Sequence, residues 1–365
     1  MDPLAVYRWL FSVFVFVLGA AVGSFLNVCI YRMPRDLSVN RPRRSFCPSC
    51  KKQIAWHGNL PLLSWLLLRG KCANCGSPIS PRYFVVELLT AVLFLVVWLV
   101  FWWPIAIAFW VFVSLLIVAT FIDFEHFIIP DEITLGGVAA GVLASVSAPQ
   151  LMGTDSRLAA AIRSVLAAVL GYLLLWLVLE LGKWAFGRKR INLEAPTPFV
   201  WKRENDDAEF VVGDERGLWS DYFARESDRM LMKCEHANID GRAHNNVTLE
   251  FHYNRLTLDQ ETHKLDEVHE ISGSVTALVI PREAMGRGDL KFLAAIGAFL
   301  GWRGVLFSVF GGSLTGSVVG LLTLILGKRV WSAKLPFGPY LAFGALVWMF
   351  VGDALVRWYL GLINP

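Results

Sequence analysis

Leu115-Leu116-Ile117-Val118-Ala119-Thr120-Phe121-Ile122 is an uncharged apolar run that ends on Asp123. It closes a longer apolar block near 105–123, about the length needed to cross a bilayer, which takes roughly 20 residues. Working outward, similar blocks recur near 9–30, 83–103, 132–149, 159–182, 290–301, 304–327 and 337–362. The chain of 365 residues is 55% hydrophobic and 18% charged, whereas a soluble domain carries about 25% charged residues. Fifteen Trp and 25 Phe suit a lipid-facing surface with aromatic belts. Apolar residues gathered into blocks of this length predict an all-α polytopic membrane protein with about eight transmembrane helices. The block 132–149 is rich in Gly and Ala and 290–301 is short, so both are expected as packed inner helices. The run Trp9 to Val28 is too long for a signal-peptide core and is read as a retained first span.

Charge then orients the blocks. The segment 31–82 holds ten Lys/Arg (Arg32, Arg35, Arg41, Arg43, Arg44, Lys51, Lys52, Arg69, Lys71, Arg82) against one acid, Asp36. The positive-inside rule places it in the cytoplasm. Counting spans forward brings Asp123, Arg188-Lys189-Arg190, Asp289 and Lys328-Arg329 to the same face. No Lys/Arg-rich arm with interleaved aromatics is present, which argues against a nucleic-acid partner. Residues 188–287 differ in kind, with 19 acids, 14 Lys/Arg and no span. Alternation in Val247–Tyr253 and the run Val275–Ile280 predict strands, with turns at Asp240-Gly241 and His244-Asn245-Asn246. The resulting division is 1–30, first transmembrane helix; 31–82, a cytoplasmic cysteine segment; 83–187, helices two to five; 188–285, a small, mainly β cytoplasmic insert; and 286–365, helices six to eight.

Two carboxylates stand out. Asp123 ends one apolar run and Asp289 opens another, in Gly286-Arg287-Gly288-Asp289-Leu290-Lys291. An ionisable side chain at the end of a span must face protein or water and is a functional candidate. Two close carboxyls cannot both ionise cheaply, so one retains a proton while the other is charged. That pairing suits peptide hydrolysis, with one carboxylate taking a proton from water and the other acid bonding the scissile carbonyl. The protons belong to the pair, so neither Asp is the fixed acid. Gly286 and Gly288, lacking Cβ atoms, would let a substrate strand approach. Asp131, after Pro130, reads as a helix cap, and Glu125 and His126 as solvated or flanking groups. A non-enzymatic scaffold or transporter would leave both aspartates incidental.

Cys47-Pro48-Ser49-Cys50 and Cys72-Ala73-Asn74-Cys75 are two CxxC pairs with 21 residues between them. Four thiolates on two tight turns form a zinc-ribbon-like S₄ site suited to structural Zn²⁺. Cytoplasmic placement argues against disulfides. Cys29 and Cys234 read as inert packing residues.

With these residues in view, the chain resembles the type IV prepilin peptidases. The likeness rests on Gly23–Val28 continuing to Tyr31–Pro34, the two CxxC pairs with Asn59–Trp65 between them, Ile79–Tyr83 and Glu87-Leu88. It continues through Ile122–His126, Ile129–Asp131, Gly286–Lys291, Gly297, Gly301-Trp302 and Leu335–Tyr340. These blocks cover about 270 residues, essentially everything outside the insert. The resemblance implies a bacterial inner-membrane enzyme of the aspartyl protease class, with Asp123 and Asp289 as its catalytic pair. It implies prepilins or pseudopilins as substrates, cleaved after a Gly at the cytoplasmic face. It further implies N-methylation of the new terminus with S-adenosylmethionine as donor, associated with the cysteine segment. A peptidase without methylation is the alternative, since no glycine-rich nucleotide fingerprint is present. The lipid bilayer is the other expected partner; no oligomeric state is implied. The insert of about 90 residues departs from the short loop usual in the family.

Overall fold

The structure, a computed structural model, describes the chain apart from residues 1–2, 43–44, 48, 55–57, 59, 187–188, 205–206, 214, 224–228, 259–260, 281–285, 327–334 and 364–365. Arg43, Arg44, Pro48, Asn59, Arg188 and the Lys328-Arg329 turn therefore lie outside the described residues. In chain order the elements are α1 (Pro3–Arg32), α2 (Leu63–Leu67), α3 (Pro81–Val100), α4 (Trp103–His126), α5 (Asp131–Ser147) and α6 (Arg157–Phe186). Next come β1 (Lys189–Glu204), β2 (Asp207–Val212), β3 (Glu215–Leu218), α7 (Trp219–Tyr222), β4 (Arg229–Ile239) and β5 (Arg242–His252). The chain ends with β6 (Arg255–Leu258), β7 (Glu261–Lys264), β8 (Glu270–Ile280), α8 (Arg287–Ile325) and α9 (Gly338–Ile363). Two compact units result: Met1–Trp176 with Arg287–Pro365, and Leu177–Gly286.

Among the described residues, five helices are long and apolar enough to cross a membrane, and a sixth span arises if the bent pair Gly338–Gly352 and Ala354–Leu362 counts as one. The helix starts follow simple local chemistry. Proline stands in the first turn of α3 and of α4, where its missing N–H has no intrahelical partner to lose, and the Ser80 hydroxyl accepts from Arg82 N at the start of α3. The expected block 132–149 is α5, of 17 residues and therefore only about 26 Å long.

The expected block 290–301 and most of 304–327 fall within α8, which breaks at Gly301 (φ 70°, ψ −178°). A Cβ on Gly297 would lie 2.9 Å from the Val305 side chain. Eight residues along a straight helix would separate them by about 12 Å, so the chain doubles back at Gly301. Only a residue without a Cβ adopts this backbone easily. The turn sits beside Met152, in the connection between α5 and α6, and the returning half brings Gly320 beside Leu335, just before α9.

Small residues join the helices, as expected where lipid supplies no hydrophobic drive for association. Gly19 and Gly23 of α1 pack on the backbone of α3 at Ala91 and Glu87, where added Cβ atoms would meet Cα at 2.8 and 2.7 Å. Gly141 of α5 abuts Ala298 of α8, with its Cβ position 2.9 Å from the Ala298 carbonyl carbon. On α6, Gly171 meets the Leu293 carbonyl and Ser164 Oγ donates to Ala298 O at 2.8 Å. The outward side chains are large and apolar, including Phe14, Val17, Leu143, Leu166, Leu173 and Leu321.

The second unit carries one antiparallel eight-stranded sheet in the order β3-β2-β1-β8-β4-β5-β6-β7. Its core gathers Phe199, Trp201, Phe210, Trp219, Met232 and Phe251. The Asp240-Gly241 turn, with φ of 46° and 88°, joins β4 to β5, the positive φ pair that a two-residue hairpin needs. His244-Asn245-Asn246 is not the expected turn: β5 runs through it, Asn246 taking a φ of 52° that asparagine tolerates, while His236 and Asn245 bond across the strands at 2.8 Å. The first and last strands are neighbours, with Lys189 opposite Ile280, so the sheet begins and ends at adjacent points.

The contrast between Gly141 and Gly136, whose Cβ position is empty within 4 Å, gives a test. Gly141→Ala should lower the melting midpoint in detergent, by the equivalent of about 1–3 kcal/mol of overpacking. Gly136→Ala should leave the midpoint unchanged or raise it, since alanine is the better helix former.

Candidate active site and metal centre

Asp123 lies in the last turn of α4. That turn is closed by Phe127, in the left-handed conformation (φ 54°), whose N–H donates to the Asp123 carbonyl at 3.0 Å. Asp123 is 4% exposed. Its Oδ2 accepts a buried 2.9 Å hydrogen bond from Gly338 N, at the start of α9. A Cβ at Gly338 would stand 2.7 Å from that oxygen and 3.0 Å from Ile129 Cδ1. Glycine at 338 is therefore a requirement of close approach.

Asp289 is in the first turn of α8 and 6% exposed. Its position suits a carboxylate, because the helix N-terminus presents unpaired N–H groups and the positive end of the dipole. The preceding Gly288 packs on Ile129, with Cβ, N and O of that residue all 3.3 Å from its own Cβ position. Ile129 is thus wedged between Gly288, next to one aspartate, and Gly338, bonded to the other. Gly286 directly precedes α8.

Neighbouring ion pairs fix the helix ends around this wedge. Lys291 Nζ grips both oxygens of Asp131 at 2.6 and 2.9 Å, tying the first turn of α8 to the first turn of α5. Asp131 is the first residue of α5, after Pro130 in the cap position, so it is an ion-pair partner as well as a first-turn acid. Arg82 pairs with Glu125, joining the start of α3 to the end of α4. His126 Nε2 lies 4.0 Å from the same Glu125 carboxylate.

Sequence reasoning did not single out Gly338 for its contact with Asp123, nor the buried polar side chains of the first helices. Asn27 donates to the Tyr83 carbonyl at 3.0 Å, and Glu87 accepts from Leu62 N at 2.6 Å. The Arg32 guanidinium, buried, donates to the carbonyls of Ser38, Val39 and Pro42. The available signal was a polar residue inside or at the end of an apolar run.

The four cysteines converge as expected. The sulfurs of Cys47, Cys50, Cys72 and Cys75 all lie within 4.8 Å of one another, with Cys47 and Cys75 at 3.9 Å. A tetrahedral ion with bonds of about 2.3 Å spaces its sulfurs by about 3.8 Å. The two knuckles are built alike. Cys47 O accepts from Lys51 N at 2.8 Å and Cys72 O from Gly76 N at 2.9 Å. Lys51 and Gly76, each following the second cysteine, both take positive φ (56° and 72°). Trp65 holds the segment's interior, its indole donating to Ile79 O at 3.3 Å and its ring covering Gly70. The N–H of Cys50 aimed at Cys47 holds that thiol down to about 6, and the Ser77 hydroxyl, 3.0 Å from Cys75 Sγ, lowers Cys75. Cys50 is pushed up to about 11: the Lys52 N–H opposes the rise, and burial with the facing Cys75 and Cys47 produces it. Four sulfurs at this spacing match the donor set of a structural zinc-class ion.

A cavity of about 540 Å³ opens at the end of α1, lined by Phe25, Val28, Arg32, Val39, Asn40, Pro42 and Ser45. Among the described residues its lining offers one guanidinium, committed to backbone carbonyls, and no carboxylate to hold a cationic sulfonium ligand. The described lining shows no group that would hold S-adenosylmethionine, and no methyl-transfer step is assigned to it.

Apolar helices joined by small residues around buried carboxyls define a multi-pass membrane protein of the helical class. The chain belongs to the type IV leader peptidase family. That family's model matches residues 110–189 and 271–321, and the model of the bacterial peptidase A24 N-terminal domain matches 17–101. The gap between the two matched stretches, 190–270, holds β1 to β7 apart from Lys189, and β8 falls almost wholly in the second stretch. Relatives named prepilin leader peptidase/N-methyltransferase include one from Aeromonas hydrophila, 29% identical over 96% of this chain and 94% of its own length. Another, from Klebsiella pneumoniae, is 39% identical over 48% of this chain and 75% of its length. A Myxococcus xanthus relative is 52% identical over 36% of this chain and 40% of its own. No solved structure matches the chain.

The tetrad's geometry predicts one tetrahedrally bound divalent ion per chain, measurable by elemental analysis of the purified protein. Cys47→Ser or Cys75→Ser should abolish it. Chelation should open residues 31–82 to proteolysis, because binding a structural ion supplies folding free energy.

Proposed function

We propose that this chain cleaves the leader from type IV prepilins or pseudopilins, after a glycine, at the cytoplasmic face of a bacterial inner membrane. Asp123 and Asp289 act as a dyad. The carrying observation is that both are buried at helix ends wrapped around one residue, Ile129, with Asp123 bonded to Gly338 N. Water held between the carboxyls attacks the scissile carbonyl carbon. One carboxylate takes the water's proton, and the other, protonated, hydrogen-bonds the carbonyl oxygen as it becomes an alkoxide. Collapse of that intermediate breaks the C–N bond, and the nitrogen leaves with the proton. Both protons belong to the pair, which titrates as a unit. Gly286 and Gly288 are proposed to border the path of the substrate strand into this site.

Eight crossings are consistent with this chemistry: α1, α3, α4, α5, α6, the two halves of α8, and α9. The doubling back at Gly301 supports separate crossings for the halves of α8. The excess of Lys/Arg in 31–82 supports a cytoplasmic side for that segment, Asp123 and Asp289. Zinc is the proposed ion of the cysteine cluster, where it folds the segment between α1 and α3. The new N-terminal residue is proposed to be N-methylated, with S-adenosylmethionine supplying the methyl group; this part of the reading rests on the names of the relatives.

The test is cleavage of a prepilin with a Gly-Phe junction by the chain in membranes. Wild type and Asp131→Asn should cleave it, while Asp123→Asn and Asp289→Asn should not; cleavage surviving in either of the last two removes the dyad. In the same assay Gly338→Ala should slow cleavage roughly tenfold or more, since displacement of a catalytic group by a fraction of an ångström to an ångström has that scale of effect. An unchanged rate would separate the Gly338 contact from catalysis.

A further inference from the structure

The cavity at the end of α1 holds a positive charge that no described carboxylate balances. Arg32 is the last residue of α1 and 4% exposed. An arginine at the end of an apolar span ordinarily extends its head to water. This one lies under the 38–42 stretch, where Nη1 donates to Ser38 O, Val39 O and Pro42 O at 3.1, 2.9 and 3.0 Å. Those carbonyls are dipoles rather than charges, and they engage one nitrogen of three. Among the described residues Nε and Nη2 donate no hydrogen bond, and the Phe46 ring centroid lies 5.9 Å from the guanidinium carbon. The only acid in 31–82 is Asp36, whose part here is to close the 33–35 turn through its backbone N–H to Met33 O. Glu87 and Glu125, on the neighbouring helices, are engaged by Leu62 N and by Arg82. A buried charge without a counter-charge is costly, so the cavity calls for an anion.

The lining indicates which anion fits. Asn40 and Ser45 bring an amide and a hydroxyl beside Arg32, while Phe25 and Val28 are apolar. Phe25, Val28 and Arg32 stand at i, i+3 and i+7, one face of α1. Phe14, eleven positions before Phe25, continues the same face, and the two rings are 57% and 53% exposed. Eleven residues of helix rise about 16 Å, close to half of a hydrocarbon core of about 30 Å. One helix face thus carries an apolar stripe the depth of a single leaflet and ends on a guanidinium with two unused donor nitrogens. A soluble phosphate would use only the polar end, whereas a phospholipid uses both.

We propose that this cavity binds one anionic phospholipid, its phosphate on Nε and Nη2 of Arg32 and an acyl chain along the Phe14–Phe25 stripe. The missing carboxylate, which leaves a cationic ligand unheld, suits an anion. Basic pockets at the polar boundary of a helical membrane protein hold such headgroups. None of the lining residues belongs to the aspartate site, so the inference stands apart from the peptidase reading.

The experiment takes the full chain in mild detergent and titrates it with phosphatidylglycerol or with phosphatidylcholine of the same acyl chains, counting bound lipid by native mass spectrometry. One phosphatidylglycerol per chain, retained several-fold over phosphatidylcholine, is the expected result. Arg32→Gln would remove the bonds to the carbonyls along with the charge, so the decisive variants leave Arg32 in place. Asn40→Asp sets a negative charge in the lining and should cut phosphatidylglycerol retention several-fold, with phosphatidylcholine unaffected. Gln53→Glu makes the same charge change at an exposed position of the same basic segment outside the lining, and should retain phosphatidylglycerol as wild type does. The melting midpoint should follow the same pattern, rising with phosphatidylglycerol in wild type and Gln53→Glu but not in Asn40→Asp, because a ligand of the folded state stabilises it. No preference for phosphatidylglycerol in wild type, or an equal loss in the two variants, would overturn the proposal. Excess inorganic phosphate, or glycerophosphoglycerol (the same headgroup without acyl chains), should fail to displace the lipid; displacement by either would assign the cavity to a soluble phosphate and overturn the lipid.

Discussion

The hydrogen bond from Gly338 N to Asp123 Oδ2 is the contact on which the rest of this bundle is arranged. A carboxyl buried at the end of an apolar helix needs a partner, because an unsatisfied polar group there costs several kcal/mol, roughly. The chain supplies a backbone N–H, and the approach is so close that no side chain fits at 338. This fixes the start of α9 against the end of α4. Ile129, held against Gly338 on one side and Gly288 on the other, carries the same constraint to the start of α8. Three helix ends thereby converge, and the Lys291–Asp131 and Arg82–Glu125 pairs bring α5 and α3 to the same set.

Close backbone approach is the recurring device elsewhere in the bundle. Gly19 and Gly23 bring α1 onto α3, Gly141 brings α5 onto α8, and Gly171 brings α6 onto α8. Gly301 lets α8 reverse, so that one continuous stretch supplies both the Asp289 end and a helix packed against α9. The sheet is accommodated by its own topology. Pairing of β1 with β8 sets its first and last residues side by side, so a unit of this size can interrupt a family pattern without demanding a change in the helices on either side of the interruption.

Much of this was legible in the residues. Long apolar runs announced α1, α3, α4, α6 and α9, and the CxxC spacing announced the cysteine cluster, because both depend on local pattern alone. The Asp240-Gly241 hairpin was equally local. The turn expected at His244-Asn245-Asn246 failed because asparagine can take positive φ within a strand as readily as in a turn, and cross-strand bonding to His236 decided between them. The Gly338 contact with Asp123 joins positions 215 residues apart, and no local pattern carries such a pairing. For the same reason the sequence read Asp131 as a cap, whereas its ion pair comes from Lys291, 160 residues away.

The central claim is that Asp123 and Asp289 face a single site. Replacing both with cysteine and treating the membrane-embedded chain with a short bifunctional thiol reagent tests it directly, with the joined peptides identified by mass spectrometry. The account predicts an efficient bridge between positions 123 and 289, weakened when a prepilin occupies the site. No bridge between them, in protein that retains its helical content, would contradict it.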